Sequence, residues 1–263
     1  MTNTSSITDK LEWENICNEI ITNNSIYTNF KTYYGDTFPI CGVSLNDANF
    51  YNKHFNNLSI EIQQKIINNK EKLLENDNIG SPIKINSILG DIGTDTLRYV
   101  YTLGELINIF NDLTNFNILE IGGGYGGQCK IINNFFKINT YTIIDISCAL
   151  NLQQKYLEKF NNIYYINGKE DLPETSFKYD LVISNYAFSE LSLEYQEKYI
   201  KYIHSIKSGY IIDNNSSHQR NGKFKKKGLI SKPFNEFINN FENINNYKTN
   251  TNPQYNNITY YWK

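Results

Sequence analysis

The feature that most constrains the fold is a short apolar run that enters a glycine-rich turn. Residues 118–128 read ILEIGGGYGGQ, which is the pattern of a strand, a tight turn and the start of a helix. Glycine permits positive-φ backbone and lets a ligand approach the main chain. The helix that follows offers free N–H groups to a carboxylate or a phosphate. The segment therefore predicts a βα unit with a ligand site at the turn.

An acidic residue follows this unit at a spacing that indicates a ribose-binding carboxylate. Asp145 lies 25 residues beyond Glu120, at the end of the next predicted strand, where a carboxylate can accept both hydroxyls of a ribose. Gly122, Gly124 and Gly127 also satisfy GxGxxG, so a nicotinamide dinucleotide competes with S-adenosylmethionine as the ligand. The position of Glu120, two residues before the first glycine, favours S-adenosylmethionine.

The rest of the chain divides into two parts. Residues 1–85 predict an N-terminal helical subdomain, which ends near a loop signal at residues 78–82, and residues 86–263 form the second domain. Apolar residues at helical spacing predict a helix over residues 60–76, and another helix is expected from about Thr94, with Thr94 as its N-cap. From Asn115 onward, strands alternate with helices, which predicts βαβ units and a mostly parallel sheet. The predicted strands are NILEIG, YTIIDI, NIYYIN, YDLVISN, GYIIDN and ITYYW.

Composition narrows the classes of function. The 263 residues carry 25 Lys+Arg and 27 Asp+Glu, and this net charge of −2 gives no basis for a nucleic-acid or membrane partner. No apolar run reaches the length of a membrane span, and the first residues lack the layout of a signal peptide, so a soluble, cytoplasmic protein is expected. The four cysteines and three histidines are scattered along the sequence, and their spacing indicates neither a disulfide framework nor a structural zinc site.

Two later segments carry a family resemblance. Residues 167–173 (NGKEDLP) and 177–185 (FKYDLVISN) resemble the third-strand loop and the fourth strand of class I S-adenosylmethionine-dependent methyltransferases. More narrowly, LEIGGGYGGQ, YDLVISNYAFSEL and the terminal NNITYYW look like a family of sugar O-methyltransferases over about residues 94–263. The resemblance implies an α/β, Rossmann-like sheet of seven strands flanked by helices, whose last strand is inserted antiparallel.

The resemblance also implies a cofactor site. Glu120, Gly122, Gly124 and Gly126 would shape the pocket for methionine and ribose, and Asp145 would hold the ribose hydroxyls. The other implied or candidate cofactor-binding residues are Arg98, Tyr125, Gln128, Ile146, Gly168, Lys169, Ser184 and Asn185. The family's acidic residue for the adenine amine is missing, because Lys169 follows Gly168 in a loop that is one residue shorter.

Methyl transfer to a sugar hydroxyl needs alignment of the reacting atoms and removal of a proton. Glu190, just past the fourth predicted strand of the sheet, is the first candidate base, and His218 is the second. Asn185 would face the transferred methyl group. Asp213 and Asn214 offer ligands for a divalent cation, but one carboxylate with amides is a thin set, so the use of a metal stays open.

Several further residues can be interpreted either as ligand-binding residues or as residues with a structural or surface role. Arg98, one of only two arginines, could reach the cofactor carboxylate or an anionic acceptor, or it could lie on the helix surface. The basic run 222–228, preceded by Arg220, could receive the diphosphate of a nucleotide sugar or remain a solvated loop. Tyr125 and Tyr186 could form apolar walls or hydrogen-bond to sugar.

The expected function is transfer of a methyl group to a hydroxyl of a nucleotide sugar or glycan in glycan biosynthesis. Ser184-Asn185-Tyr186-Ala187 lacks the prolines that amino-methylating DNA enzymes need after this strand. The alternatives are an NAD-dependent oxidoreductase and a non-catalytic methyltransferase-like scaffold. The N-terminal helices would serve as a lid, as a wall of the acceptor site or as the interface of a homodimer.

Overall fold

A computed structural model describes residues 11–33, 43–170, 178–213, 231–238, 248–251 and 257–263. Its strands are β1 Lys84–Ser87, β2 Gly90–Gly93, β3 Asn117–Ile121, β4 Thr140–Asp145, β5 Ile163–Asn167, β6 Leu181–Asn185, β7 Ser208–Asp213, β8 Lys248–Thr251 and β9 Ile258–Trp262. Its helices are α1 Leu11–Thr22, α2 Asn24–Tyr27, α3 Phe30–Tyr33, α4 Leu45–Phe55, α5 Ile60–Ile67, α6 Lys70–Leu74, α7 Thr94–Phe110, α8 Gly127–Phe135, α9 Ser147–Tyr156, α10 Ala187–Glu190, α11 Leu193–Ile203 and α12 Phe234–Ile238.

The central feature is a seven-stranded sheet in the order β5-β4-β3-β6-β7-β9-β8. The first five strands in this order pair in parallel, whereas β9 pairs antiparallel with both of its neighbours. Helix α8 connects β3 to β4, α9 connects β4 to β5, and α10 and α11 connect β6 to β7, as is usual for parallel crossovers. The expected α/β sheet with an antiparallel last strand is therefore confirmed. Strand β8 was not predicted from the sequence.

Both faces of the sheet are covered by helices, because successive side chains of a parallel strand point to opposite faces and both are apolar. Ile118 and Ile183 contribute to the core on the face of α7 and α8. Leu119 and Val182, their neighbours in sequence, contribute to the core on the other face, which contains Ile203 of α11. Among the residues that the structure describes, no helix is long and apolar enough to cross a membrane.

The N-terminal helices pack into the first of these cores. Buried side chains of α1, α3, α4 and α5 belong to the same apolar cluster as those of α7, α8 and α9. Helix α1 packs against α9, and α4 packs against α7. The Ser44 side chain and Asp47 form a capping box that fixes the start of α4. This packing brings residues 11–85, where described, against the sheet domain.

The first part of the chain differs locally from the sequence expectations. The segment expected as one helix over residues 60–76 is divided into α5, α6 and a short 3-10 turn at residues 75–78. Strands β1 and β2 form an antiparallel hairpin that no sequence signal predicted. Helix α7 begins as expected, but Gly93 rather than Thr94 occupies the N-cap position, and Thr94 is already helical.

Candidate functional site

The glycine turn lies at the carboxyl end of β3, where it enters α8. Gly122, Gly124 and Gly126 have φ angles of +76°, +59° and +100°. These are left-handed conformations that glycine adopts without a steric penalty. A β-carbon on Gly122 would stand 2.1 Å from the β-carbon of Ala187, at the start of α10. A residue other than glycine would therefore have a strained backbone at these positions. The turn is also closely packed against the start of α10, which follows β6.

Glu120 is a buried carboxyl beneath this turn. The residue is 1% exposed, and the hydroxyl of Tyr141 on β4 donates to its Oε2 over 3.0 Å. Burial raises the pKa of Glu120 to about 8, because removal from water disfavours the charged form. A buried carboxyl of this kind favours a cationic partner, and an ammonium group is one.

Asp145 is the last residue of β4 and is hydrogen-bonded to the loops that follow β3, β4 and β5. Its Oδ2 accepts from the backbone N–H of Gly123 at 3.0 Å and from Nε2 of Gln153 at 2.9 Å, and its Oδ1 accepts from the N–H of Ile146 at 2.8 Å. The N–H of Gly168, after β5, donates to the backbone carbonyl of Asp145. Burial raises the pKa of Asp145 to about 6. The structure thus brings the predicted residues Asp145, Ile146 and Gly168 to the glycine turn.

The end of β6 faces the same region. Nδ2 of Asn185 donates to Oε1 of Gln128 at 3.3 Å, and Nε2 of Gln128 donates to the carbonyl of Tyr99 at 3.4 Å. Oδ1 of Asn185 is buried and has no hydrogen-bond partner within the described residues. The Ser184 hydroxyl, in contrast, joins the carbonyl of Ile121 to the N–H at the start of α10. Asn185 therefore retains an acceptor for a ligand.

A wall of tyrosines extends from the N-terminal helices to this strand end. The hydroxyls of Tyr51 on α4 and Tyr186 lie 2.9 Å apart. Tyr186, the residue after β6, has a φ of +70°, which is uncommon for a bulky side chain. Nη2 of Arg98 on α7 donates to the Tyr99 hydroxyl at 3.2 Å. The structure thus brings Arg98 and Tyr186 together, with Tyr51 as a neighbour that the sequence did not indicate.

Tyr125 differs from its expected place in the ligand site. The side chain is fully buried, and its hydroxyl donates to Asp95 and accepts from Nδ2 of Asn76. Lys31 lies over its ring at 4.7 Å. The residue supports the glycine turn from behind, because its hydroxyl is held by buried polar groups. Sequence reasoning missed Lys31 and Asn76, which carry no motif signal.

The candidate catalytic residues are placed only in part. Glu190 ends α10 and is partly buried. Asp213 ends β7, and its Oδ2 accepts from the N–H of Phe234 at 3.1 Å. Lys169 is exposed. Asn214, His218, Arg220 and the basic run 222–228 lie outside the described residues. Within the described ranges, no three His, Cys, Asp or Glu residues are grouped to hold a metal ion.

Comparison with known proteins gives one sequence match and several distant structural ones. The chain is 34% identical over 88 residues to the release factor glutamine methyltransferase of Fusobacterium nucleatum, a match covering 31% of this chain and 24% of that protein. The chain thus spans about a quarter of the length of the curated relative that it matches. No protein-family profile matches.

Two solved structures illustrate the structural likeness. A Thermoplasma acidophilum protein is 16% identical with a TM-score of 0.46, over 74% of this chain and 95% of that one. The N-methyltransferase NodS of Bradyrhizobium japonicum, solved with S-adenosyl-L-homocysteine, is 12% identical with a TM-score of 0.46, over 64% and 85%. The seven-stranded sheet with its antiparallel strand β9 is the one that the resemblance implies, and 88 residues of the chain are similar to a segment of a methyltransferase.

Proposed function

We propose that this chain is an S-adenosylmethionine-dependent methyltransferase that methylates a sugar hydroxyl of a nucleotide sugar or glycan. The observation that carries the proposal is the placement of Glu120 and Asp145 on the two sides of one glycine turn, at the carboxyl edge of the sheet. Ligands of open α/β sheets bind at this edge. A buried acid for an ammonium group and a second acid for a ribose suit the two ends of one cofactor.

The residues present fit S-adenosylmethionine. Asp145 would accept the ribose hydroxyls, Glu120 would face the ammonium group, and the backbone from Gly122 to Gly126 would lie against the methionine part. The glycines of the turn support this, since they carry no side chain that would separate the main chain from a ligand. When bound, the cofactor supplies a methyl group on a positively charged sulfur that is open to displacement.

The chain's own task is to hold the acceptor in line with that methyl group and to take up its proton. Transfer would join the acceptor oxygen to the methyl carbon while sulfur keeps the electron pair of its bond to that carbon, and a base of the protein would take up the hydroxyl proton. The free Oδ1 of Asn185 would accept a hydrogen bond from the acceptor. Glu190 is the proposed proton acceptor, with His218 as the second candidate.

The sugar acceptor is supported by the resemblance of residues 94–263 and by the hydroxyl-rich wall of Tyr51 and Tyr186. A second candidate acceptor is a glutamine amide of a protein, which the match to the Fusobacterium enzyme favours. The sequence Tyr186-Ala187 after Asn185, without proline, distinguishes this strand end from the turn of amino-methylating DNA enzymes.

The test begins with calorimetric titration of the wild-type protein and of Asp145→Ala with S-adenosylhomocysteine and NADH. We expect saturable binding of S-adenosylhomocysteine that is lost in Asp145→Ala and kept in Asp91→Ala, which removes an exposed carboxylate on the β1–β2 hairpin. Binding of NADH alone would refute the proposal. Wild-type protein that binds neither ligand would favour a scaffold.

Acceptor choice is then tested with cofactor labelled in the methyl group. Nucleotide sugars, glycan ends and a glutamine-containing protein substrate are compared for label uptake. Glu190→Gln is expected to abolish transfer while the affinity for S-adenosylhomocysteine stays nearly intact. Unchanged turnover in Glu190→Gln would exclude Glu190 as the base.

A further inference from the structure

In the part of the chain that the structure describes, Arg98 forms no ion pair with an acidic side chain. The side chain is partly buried, and its Nε is closed off from solvent with no hydrogen-bond partner among the described residues. The ion pairs in that part of the chain involve other cations. A buried donor on a charged group destabilises the fold when it has no hydrogen-bond partner. A group kept in this state calls for an explanation, and a ligand that completes it is one.

The described side chains that lie against Arg98 are those of tyrosines. The guanidinium carbon lies 5.0 Å from the centre of the Tyr99 ring, and Nη2 is hydrogen-bonded to the Tyr99 hydroxyl. The positive charge also acts on the hydroxyls of Tyr51 and Tyr186, which are bonded to each other. Tyrosine hydroxyls orient a guanidinium but leave its charge uncompensated, so the site keeps its attraction for an anion.

Arg98 and Asn185 are linked by a chain of side-chain and backbone hydrogen bonds. Asn185 is bonded to Gln128, Gln128 to the carbonyl of Tyr99, and the Tyr99 hydroxyl to Arg98. Within the described ranges, this group contains one buried donor without a partner, the Nε of Arg98, and one buried acceptor without a partner, the Oδ1 of Asn185. Such a pair is complementary to a ligand that carries an anionic group beside an N–H or O–H.

We infer that Arg98 is the centre of a carboxylate-binding site at the junction of α4, α7 and the end of β6. This inference rests on the proposed function, since the ligand's carboxylate comes either from the methionine part of the cofactor or from an acid group on the acceptor sugar. Arginine forms strong, charge-assisted bonds to either. The two sources are separable by experiment.

The first arm measures the affinities of S-adenosylmethionine and of decarboxylated S-adenosylmethionine, which lacks only the carboxylate. If the cofactor is the source, wild-type protein binds the complete cofactor about 10- to 100-fold more tightly, and Arg98→Met removes this preference. Lys65→Met, which removes an exposed surface cation, should keep it.

The second arm titrates protein saturated with S-adenosylhomocysteine with D-glucuronate and D-glucose, followed by ligand-observed NMR. If the acceptor is the source, both cofactors bind wild-type and Arg98→Met protein alike, and the preference for glucuronate over glucose is present only in the wild type. Loss of neither preference in Arg98→Met would overturn the inference.

Thermal unfolding without ligand separates a binding role from a structural one. Arg98→Met removes an uncompensated charge and an unfilled donor, so the melting temperature should stay the same or rise, while stabilisation by ligand is lost. A lowered melting temperature with an unchanged response to ligand would also overturn the inference. If wild-type protein binds no adenosyl compound, the proposed function fails instead, and the glucuronate arm without cofactor still tests Arg98.

Discussion

Nζ of Lys31 lies 3.3 Å from Oδ2 of Asp95, and both side chains are almost fully buried. The same ammonium donates to the carbonyl of Asn76 at 2.6 Å and lies over the ring of Tyr125, whose hydroxyl is bonded to Asp95. Tyr125 is the residue between Gly124 and Gly126. An ion pair between α3 and α7 therefore holds Tyr125, and through it the glycine turn, against the N-terminal helices.

The first prediction concerns this pair. Lys31→Met leaves Asp95 as a buried carboxylate without its cation, which typically costs about 3–5 kcal/mol. We expect the free energy of unfolding in urea to fall by this amount and the affinity for S-adenosylhomocysteine to fall as well. Lys65→Met breaks an exposed pair with Glu61 and should cost less than about 1 kcal/mol. Equal losses in the two variants would contradict this account.

The second prediction compares two glycines with positive φ. Gly122→Ala adds a β-carbon 2.1 Å from that of Ala187, whereas Gly90→Ala meets nothing within 4 Å, although its φ is +97°. We expect Gly90→Ala to cost about 1–2 kcal/mol of stability through backbone strain alone. Gly122→Ala should cost more and abolish binding of S-adenosylhomocysteine, measured by calorimetry. Tight binding of S-adenosylhomocysteine by Gly122→Ala would contradict this, because it would show that α10 can move away from the added β-carbon at little cost.

The third prediction concerns pH and Glu120. Its pKa is raised from 4.5 to about 8, so the folded protein holds this proton more firmly than the unfolded chain does. Stability of the ligand-free protein should therefore fall as pH rises from about 5 to about 8, by up to about 1.4 kcal/mol per pH unit. Asp145, whose pKa is raised from 3.8 to about 6, adds to the same trend at the lower end of this window.

Urea unfolding at several pH values measures this slope, which Glu120→Gln should reduce. Binding of a ligand ammonium beside Glu120 favours its ionised form, so binding near neutral pH should release a proton. Calorimetry in buffers of different ionisation enthalpy detects that release, and Glu120→Gln should lack it. A slope of stability on pH that is unchanged in Glu120→Gln would show that Glu120 ionises normally.

The fourth prediction is that Glu105 stabilises the fold and does not contribute to ligand binding. Glu105 lies seven residues after Arg98 on α7, which is about 10 Å along the helix axis. It is buried, and its Oε2 accepts from the Tyr210 hydroxyl on β7. Burial raises the pKa of Glu105. Tyr210→Phe should lower the free energy of unfolding by about 1–3 kcal/mol and leave the affinity for S-adenosylhomocysteine unchanged. A large loss of affinity would place Glu105 in the ligand site.

Local sequence was sufficient for the elements that carry their own pattern. The glycine turn, the acid at the end of β4 and six strands of the sheet were predicted because strand, turn and helix signals lie within short segments. The β1–β2 hairpin and β8 were missed, since four-residue strands with polar residues have almost no periodicity to detect. The division of residues 60–76 was missed because helical spacing of apolar residues continues across the break.

What the sequence determined by itself is the order of strands and helices, the glycine turn, and the two acids Glu120 and Asp145 beside it. Only the tertiary structure decided which distant residues meet that turn. Tyr125 was expected to face the ligand, but its contacts with Asp95 and Lys31 place it behind the turn. Tyr51, 135 residues from its partner Tyr186, carries no signal of that contact. Such pairings depend on how helices pack across the sheet, and packing is a property of the whole chain rather than of any segment.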